Sequence, residues 1–211
     1  FGGDIIGSAG PMLIPTKREC CDLICEMEMM EHIVAHSVQV CRVALFLVDR
    51  LRETGLDLDR GMVEAASLLH DITKTRSFQT GEMHTETGGK LLKDRGFFEV
   101  GEIIRQHVKL DAYFGGEAPD EAEIVNYADK RVLHDRIVSM AERMAYILER
   151  YGRREDYRQR LAWLWEKSEE MERRIFAKLP FGPERIESMD LGSGIDEDFE
   201  EYRALLEGKK K

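Results

Sequence analysis

An adjacent His70-Asp71 pair ends an apolar run over residues 62–69, and a basic residue, Lys74, follows three positions later. Neutral imidazole and carboxylate together bind borderline divalent metals such as iron, manganese, cobalt or zinc. Where a helix leaves the core, both groups could face one cavity while their backbone stays anchored. A dipeptide that merely ends a helix is an equally good interpretation of these residues alone, because an imidazole can interact with the last carbonyls.

Further histidines and one aspartate recur near the ends of helical patterns across the middle of the chain. His36 lies early in a long apolar helix pattern, where an imidazole without a partner would be costly. His84 follows a loop, His107 closes a helical pattern, and Asp129 follows an apolar stretch. One helical histidine is usually structural, so a shared site is inferred from the whole set of residues.

The segments that must position these residues have helical patterns. Residues 31–52 carry apolar side chains at helical spacing over a wide face. Thr16 is a suitable N-cap for a preceding helix, and Asp57 or Asp59 for the following one. Residues 72–83 are rich in Thr, Ser and Gly and are interpreted as a loop. Strand-like alternation is not sustained, so the predicted fold class is all-α.

Three regions differ in composition. Residues 1–15 are glycine-rich and predict a loose N-terminal arm, and residues 16–152 form the helical domain. Residues 153–211 alternate charges around Trp163 and Trp165 and predict a helical C-terminal appendage. We expect this appendage to pack back through its tryptophans or to mediate homo-oligomerisation.

Charge and length exclude several classes of function. The chain has 211 residues and a net charge of −10, which argues against broad binding to nucleic acid or to an anionic membrane. A small phosphorylated substrate stays compatible, because a bound metal outweighs the global charge within its own site. No run approaches the ~20 apolar residues of a membrane span, and residues 1–4 lack the features of a signal peptide. The expected location is cytoplasmic.

The four cysteines crowd into the first fifth of the chain. Their spacing is not that of a zinc site, and no second pair follows. We interpret Cys20, Cys21, Cys25 and Cys41 as small buried hydrophobic residues in a reducing compartment rather than as metal ligands or disulfides.

The ordered set of histidines and aspartates resembles the HD superfamily of metal-dependent phosphohydrolases. It is most similar to the two-metal branch that includes HD-GYP domains and bacterial symmetrical diadenosine tetraphosphate hydrolases. The resemblance spans residues 31–151, and the segment from His70 to Lys74 resembles the HDIGK element, with Thr73 where Gly often stands. No GYP triplet follows His107, so hydrolysis of cyclic di-GMP is not supported.

The resemblance implies an HD-domain helical bundle with two divalent transition metals. Iron or manganese is favoured, with cobalt, zinc or nickel as alternatives. Two cations can clamp phosphoryl oxygens and lower the pKa of a water. The implied ligands are Asp71 as the bridge, His36, His70 and Asp129 at one metal, and His84 and His107 at the other.

Other residues have more than one interpretation. Lys74 could hold a phosphate oxygen as a catalytic residue or be a solvated lysine, and Arg76 and Lys109 are weaker phosphate candidates. His32 shares a helical face with His36, but the His36 context is closer to the first-histidine segment of the family. His134-Asp135 is a second dipeptide of this type, and its basic neighbours favour a position at a helix junction.

The predicted function is metal-dependent hydrolysis of a phosphoester or phosphoanhydride in a small, nucleotide-like substrate. A non-catalytic sensor or scaffold that binds metal and nucleotide is the alternative, motivated by the amphipathic C-terminal region. Di-iron oxygenation is a third, less favoured function, which the same ligand set supports elsewhere in the superfamily.

Overall fold

The chain folds as helices, as its apolar periodicity predicts. A computed structural model describes residues 12–188, 200 and 203–208. Residues 132–137 form a short antiparallel hairpin of β1 (Val132–Leu133) and β2 (Arg136–Ile137) that the sequence did not indicate. The all-α fold class is confirmed. The helices with assigned bounds are α1 (Lys17–Glu26), α2 (Glu31–Glu53), α3 (Arg60–Leu69), α4 (Lys74–Thr80), α5 (His84–Asp94), α6 (Phe98–Arg105), α7 (Glu121–Lys130), α8 (Met140–Tyr151), α9 (Glu155–Phe176) and α10 (Glu184–Glu187).

Helix α2 is the core of the fold. Twelve of its 23 residues are buried, and α3 and α7 pack against it. By length and composition α2 is the one described helix that could cross a membrane, but 61% of its apolar window is buried inside the protein. That burial is typical of a central core helix, and it places His36 in the protein interior.

Side-chain caps set several helix starts. The Thr16 hydroxyl accepts from the backbone N–H of Glu19, whose carboxylate accepts from Thr16 in return, so the predicted cap is confirmed. Asp59, rather than Asp57, caps α3 by accepting from the Met62 N–H at 2.9 Å. These caps define where α1 and α3 begin, and α3 in turn ends at His70.

The prediction of a loop over residues 72–83 is wrong in its middle, where α4 forms. The Ser77 hydroxyl donates to the Lys74 carbonyl at 2.7 Å, and the Thr80 hydroxyl donates to the Arg76 carbonyl at 3.2 Å. The hydroxyls that suggested a loop are thus satisfied within a helical turn. Gly81 ends the helix with φ +72°, a conformation that favours glycine.

Helices α5 and α6 cross with their backbones in contact at two glycines. A Cβ atom on Gly89 would lie 2.9 Å from the Gly101 carbonyl oxygen, and one on Gly101 would lie 2.7 Å from the Gly89 carbonyl oxygen. No side chain fits between the helices at this point. Because His84 begins α5 and His107 follows α6, this crossing determines how closely the two imidazoles can approach.

The cysteines are all free thiols. Cys20, Cys21 and Cys41 are buried, which confirms the prediction for these three, whereas Cys25 is exposed and the prediction for it is wrong. Cys25 lies on the outer face of α1, away from the apolar contacts that bury its neighbours.

The side chain of Arg131 joins α7 to the C-terminal helices. It is 1% exposed, and its Nε donates to the Val138 carbonyl at 2.8 Å. One guanidinium nitrogen donates to the Tyr127 hydroxyl at 2.6 Å and to the Glu172 carboxylate at 3.2 Å. The other donates to the Glu187 carboxylate at 2.9 Å. Helices α9 and α10 are therefore anchored to the same helix that carries Asp129.

The predicted N-terminal arm and C-terminal appendage both contact the rest of the protein through residues that the structure describes. Pro15 is buried and Ile14 packs against the core, while residues 1–11 of the arm lie outside the described residues. Trp163 of α9 packs edge-on against Tyr113, with ring centroids 5.4 Å apart. The division into 1–15, 16–152 and 153–211 stays a prediction.

We expect Arg131→Ala to lower the free energy of unfolding by about 3 kcal/mol, because it leaves the Tyr127 hydroxyl and two carboxylates without their cation. Urea denaturation followed by circular dichroism measures this change. The control is Arg173→Ala on the exposed part of α9, for which less than about 0.5 kcal/mol is expected. Equal losses in both variants would contradict an anchoring role for Arg131.

Candidate metal centre

The predicted ligands come together in one cluster, in which His36, His70, Asp71 and His107 are buried and His84 and Asp129 are partly buried. The potential ligand atoms of His36, His70 and Asp71 lie within 4.8 Å of one another, as do those of Asp71, His84 and His107. Asp71 is the member that both groups share. The assignment of these residues as metal ligands stays a prediction. Their positions are His36 in α2, His70 and Asp71 directly after α3, His84 at the start of α5, His107 after α6 and Asp129 in α7.

The two oxygens of Asp71 face different partners. Its Oδ1 lies 3.3 Å from His84 Nε2 and 3.6 Å from His107 Nε2. Its Oδ2 lies 3.4 Å from His70 Nε2 and 2.6 Å from the Lys74 ammonium. Potential metal ligands thus lie on both sides of this carboxylate, which is the arrangement that a bridging ligand needs.

Asp129 completes the group on the α2 side. Its Oδ1 lies 3.0 Å from His36 Nε2 and 3.7 Å from His70 Nε2. On the other side, His84 Nε2 and His107 Nε2 are 3.4 Å apart. The cluster therefore divides into two sets of donors that meet at Asp71.

Backbone carbonyls orient three of the imidazoles. His36 Nδ1 lies 2.8 Å from the His134 carbonyl oxygen, and His70 and His107 each place Nδ1 2.7 Å from the carbonyl of the residue three positions earlier. A carbonyl oxygen only accepts, so Nδ1 carries a proton in all three rings. Nε2 is then the atom that a metal would bind after displacing any proton there, and each ring is held in place.

The carboxylates stay charged in spite of their burial. Burial alone would raise the pKa of Asp71, but the neighbouring His70 and His84 imidazoles and the Lys74 ammonium hold it well below its usual range. Burial likewise opposes ionisation of Asp129, yet the hydrogen bond from His36 and the charge of His70 keep its pKa well below the usual range.

The histidines of the cluster differ in their protonation. Burial lowers the pKa of His107 to about 3, so its imidazole is neutral near neutral pH. Burial also disfavours the charged form of His70, but the Asp71 and Asp129 carboxylates outweigh it and raise the pKa of His70. The anionic carboxylates of Asp71 and Asp129 therefore stabilise a positive charge on His70 inside the cluster.

Two buried ligand atoms are left without hydrogen bonds. Among the described residues, His70 Nε2 and Asp71 Oδ1 have no hydrogen-bond partner. Such orphaned groups cost on the order of 1–3 kcal/mol each. Both atoms are typical metal donors and both point into the cluster, so the residues fit one or more divalent transition metals.

Lys74 and Thr73 extend the cluster on the α4 side. Burial opposes the charge of Lys74, but contact with Asp71 raises the pKa of its ammonium group. The Thr73 hydroxyl donates to the His84 carbonyl at 2.9 Å and lies 2.9 Å from the Thr87 hydroxyl. The residue that departs from the resembled HDIGK element therefore fastens this segment to the start of α5.

The other predicted candidates lie elsewhere. His32 is exposed on α2, and Arg76 pairs with Glu82 at 2.6 Å. His134 supplies its backbone carbonyl to His36, while its ring packs against Tyr146 with centroids 5.5 Å apart. Its neighbour Asp135 is exposed.

Sequence reasoning missed two residues near the cluster. Asn126 is buried on α7, and its side-chain amide donates to the Gln106 and His107 carbonyls at 3.0 and 2.9 Å. Its position three residues before Asp129 on one helical face was a usable signal. Arg143 of α8 lies close enough to Asp129 to contribute to its low pKa, and its buried Nε has no partner among the described residues.

Comparison with known proteins agrees with this geometry. The family model for the HD domain matches residues 33–133, a range that contains every predicted ligand. The chain is 26% identical over 144 residues to a tRNA (cytidine(56)-2'-O)-methyltransferase of Picrophilus torridus. This match covers 62% of this chain and 40% of the relative. It is 28% identical over 110 residues to an uncharacterised protein of Methanocaldococcus jannaschii, covering 49% of this chain and 64% of the relative. The matches thus span less than two thirds of either relative, and no solved structure matches the chain.

We expect Gly101→Ala to separate α5 from α6, because the new Cβ would meet the Gly89 carbonyl oxygen at 2.7 Å. The free energy of unfolding should fall by about 1–3 kcal/mol, and bound metal should fall by at least half. Urea denaturation and elemental analysis measure the two effects.

Gly61→Ala is the matched control for that substitution. Gly61 also lies in a helix, but its new Cβ would find its nearest neighbour at 3.4 Å. This change should leave metal content unaltered and stabilise the helix by about 0.5–1 kcal/mol. If Gly101→Ala behaved in the same way, the crossing would not control the geometry of the cluster.

Proposed function

Because residues 33–133 are an HD domain, of the metal-dependent phosphohydrolase-type superfamily, we propose that this protein hydrolyses a phosphoester or phosphoanhydride bond in a small, nucleotide-like substrate. The observation that carries the proposal is the position of Asp71 between two groups of potential metal ligands. A carboxylate shared in this way suits a site for two cations, and two-metal sites are common among enzymes that hydrolyse phosphoesters.

The donors suit two divalent metals. When bound, such metals polarise the phosphoryl group and lower the pKa of a water that serves as nucleophile. An imidazole-rich set favours iron or manganese over magnesium, with cobalt, zinc or nickel as alternatives. One metal would be held by His36, His70, Asp71 and Asp129, and the other by Asp71, His84 and His107.

The chain prepares these donors before any ligand arrives. The carbonyls that accept from Nδ1 of His36, His70 and His107 fix the ring orientations, and Asn126 in turn fixes the carbonyl of His107. Asp71 is buried and ionised. Little reorganisation is then needed when substrate binds, which is how preorganised polar sites lower reaction barriers.

Two cationic side chains would bind the substrate phosphate. Lys74 contacts Asp71 at 2.6 Å, and its side chain is 34% exposed, so its ammonium can reach a phosphate oxygen at the edge of the cluster. Arg143 adds a guanidinium whose fork matches phosphate geometry. Both cations would neutralise charge on the phosphoryl oxygens during the reaction.

The proposal extends to the size of the substrate, the cellular location and the partners of the protein. A net charge of −10 favours a small substrate over nucleic acid, so methylation of tRNA, the activity in the name of one relative, is not transferred to this chain. We place the protein in the cytoplasm, without a membrane partner. The C-terminal helices are the candidate surface for homo-oligomerisation.

A sensor that binds nucleotide without turnover is the second candidate function. The observation in its favour is the position of Arg131, two residues after Asp129 and in contact with both Glu172 of α9 and Glu187 of α10. A change at Asp129 could reach the C-terminal helices through this side chain. Tight binding of a nucleotide with manganese present, but without product, would favour the sensor over the hydrolase.

Protein purified without chelator should contain close to two metals per chain and hydrolyse members of a panel of nucleotides and dinucleoside polyphosphates. Asp71→Ala removes the shared ligand, so both metals should be lost and activity should fall by at least about 100-fold. The exposed His32→Ala variant is the control and should keep both. Full metal content and turnover in Asp71→Ala would contradict the proposed function.

Arg143→Gln should lower kcat/KM by about 10- to 100-fold, in line with the loss of a charged hydrogen bond worth about 1.5–3 kcal/mol. Its metal content should not change, because Arg143 is not a ligand. Arg150→Gln, at the exposed far end of α8, is the matched control. A wild-type kcat/KM in Arg143→Gln would exclude a phosphate contact at this position.

A further inference from the structure

A cavity of about 420 Å³ opens beside His84. The start of α5 forms one wall, the segment after α6 forms another, and Arg160 of α9 contributes from the C-terminal region. Its volume lies within the range of small-molecule sites, which is about 300–1,000 Å³. One candidate metal ligand, His84, thus lines the cavity together with Arg160, a residue from outside the range matched by the HD-domain model.

Most charges around the cavity are already paired. Glu82 binds Arg76 at 2.6 Å, and Asp111 binds Arg105 in a bidentate ion pair. Glu86 lies 3.9 Å from the same arginine. The carboxylates of the lining are therefore compensated by neighbouring cations.

Two cations remain available to a ligand. Among the described residues, neither Arg160 nor Lys109 has a carboxylate oxygen within 4.0 Å, although the charge of Lys109 adds a minor contribution to the lowered pKa of Asp111. The Lys109 ammonium lies 5.8 Å from the centre of the Trp163 ring, a cation–π contact that leaves its hydrogen-bond donors free to bind an anion. Arg160 is exposed and stands one helical turn before Trp163.

The start of α5 adds to this positive potential. Met83 occupies the N-cap position and makes no capping hydrogen bond, so the first backbone N–H groups of α5 have no side-chain acceptor there. Helix N-termini of this kind favour anions. Met83, 68% exposed, and Val108, 40% exposed, add apolar surface beside these groups.

We propose that this cavity binds a second anionic group of the substrate, remote from the phosphate at the metal cluster, through Arg160 and Lys109. The substrate class is a nucleotide with two or more phosphate groups, whose apolar base can rest on Met83 and Val108. This inference rests on the proposed function and deepens it. Helix α9 is then part of the substrate site rather than a separate appendage.

The anchoring of α9 supports this assignment. Trp163 packs against Tyr113, and the Phe114 ring lies under the Arg174 guanidinium at 4.8 Å and near the Lys167 ammonium at 5.3 Å. Contacts of α9 with the loop after α6 thus hold Arg160 at a fixed distance from the metal cluster, and Arg131 holds the far half of the helix to α7.

The test is titration calorimetry of the full chain, freed of metal by chelator, with inorganic tripolyphosphate and with orthophosphate. Wild-type protein should bind tripolyphosphate more tightly than orthophosphate. Arg160→Gln should weaken tripolyphosphate binding by about tenfold, the effect of one charged hydrogen bond, and Lys109→Gln should do the same. Arg173→Gln on the same helix should bind as wild type. No binding of tripolyphosphate by wild type, or equal binding by all variants, would overturn the proposal.

Kinetics separate this inference from the proposed function. With manganese, Arg160→Gln should raise KM for a nucleoside triphosphate about tenfold while leaving kcat, and KM for p-nitrophenyl phosphate, unchanged. If wild type hydrolyses both compounds and Arg160→Gln changes neither KM, the cavity proposal fails and the hydrolase stands. If wild type hydrolyses nothing yet binds tripolyphosphate through Arg160, the hydrolase fails and the cavity proposal stands.

Discussion

A carboxylate buried in an apolar helical interior has to be compensated, and Asp71 imposes this constraint on the fold. Its side chain is 1% exposed and remains ionised. His70 lies next to it in the chain, His84 and His107 reach it from the start of α5 and the end of α6, and Lys74 adds a full positive charge. A buried anion without partners would be strongly destabilising. The helices α3, α4, α5 and α6 converge at Asp71, and residues at their ends supply the groups that stabilise its charge.

Much of the fold and of the cluster could be predicted from the sequence. Apolar spacing over residues 31–52 predicts α2, and capping residues such as Thr16 predict helix starts, because both depend on local chemistry. The candidate ligands were recognisable as a set, because imidazole and carboxylate groups at the ends of apolar segments destabilise the fold unless they have partners. The order of these residues along the chain then indicated the HD domain.

The remainder depends on contacts that residue types do not encode. The α5–α6 crossing requires glycine at two positions twelve residues apart, and neither position carries a local signal for a helix contact. His134 acts through its backbone carbonyl, at φ +57°, so the identity of its side chain was a misleading guide. Arg143 and Arg160 are ordinary helical arginines until the fold brings one near Asp129 and the other beside His84.

The partners of Arg131 have a consequence for the order in which the protein matures. Glu172 and Glu187 follow Arg131 by 41 and 56 residues, so they leave the ribosome long after α7 does. Until then the guanidinium has only part of its final set of acceptors, and it stays hydrated rather than buried. Helix α7 therefore receives its full set of contacts at Arg131, two residues after Asp129, only once α9 and α10 have been synthesised.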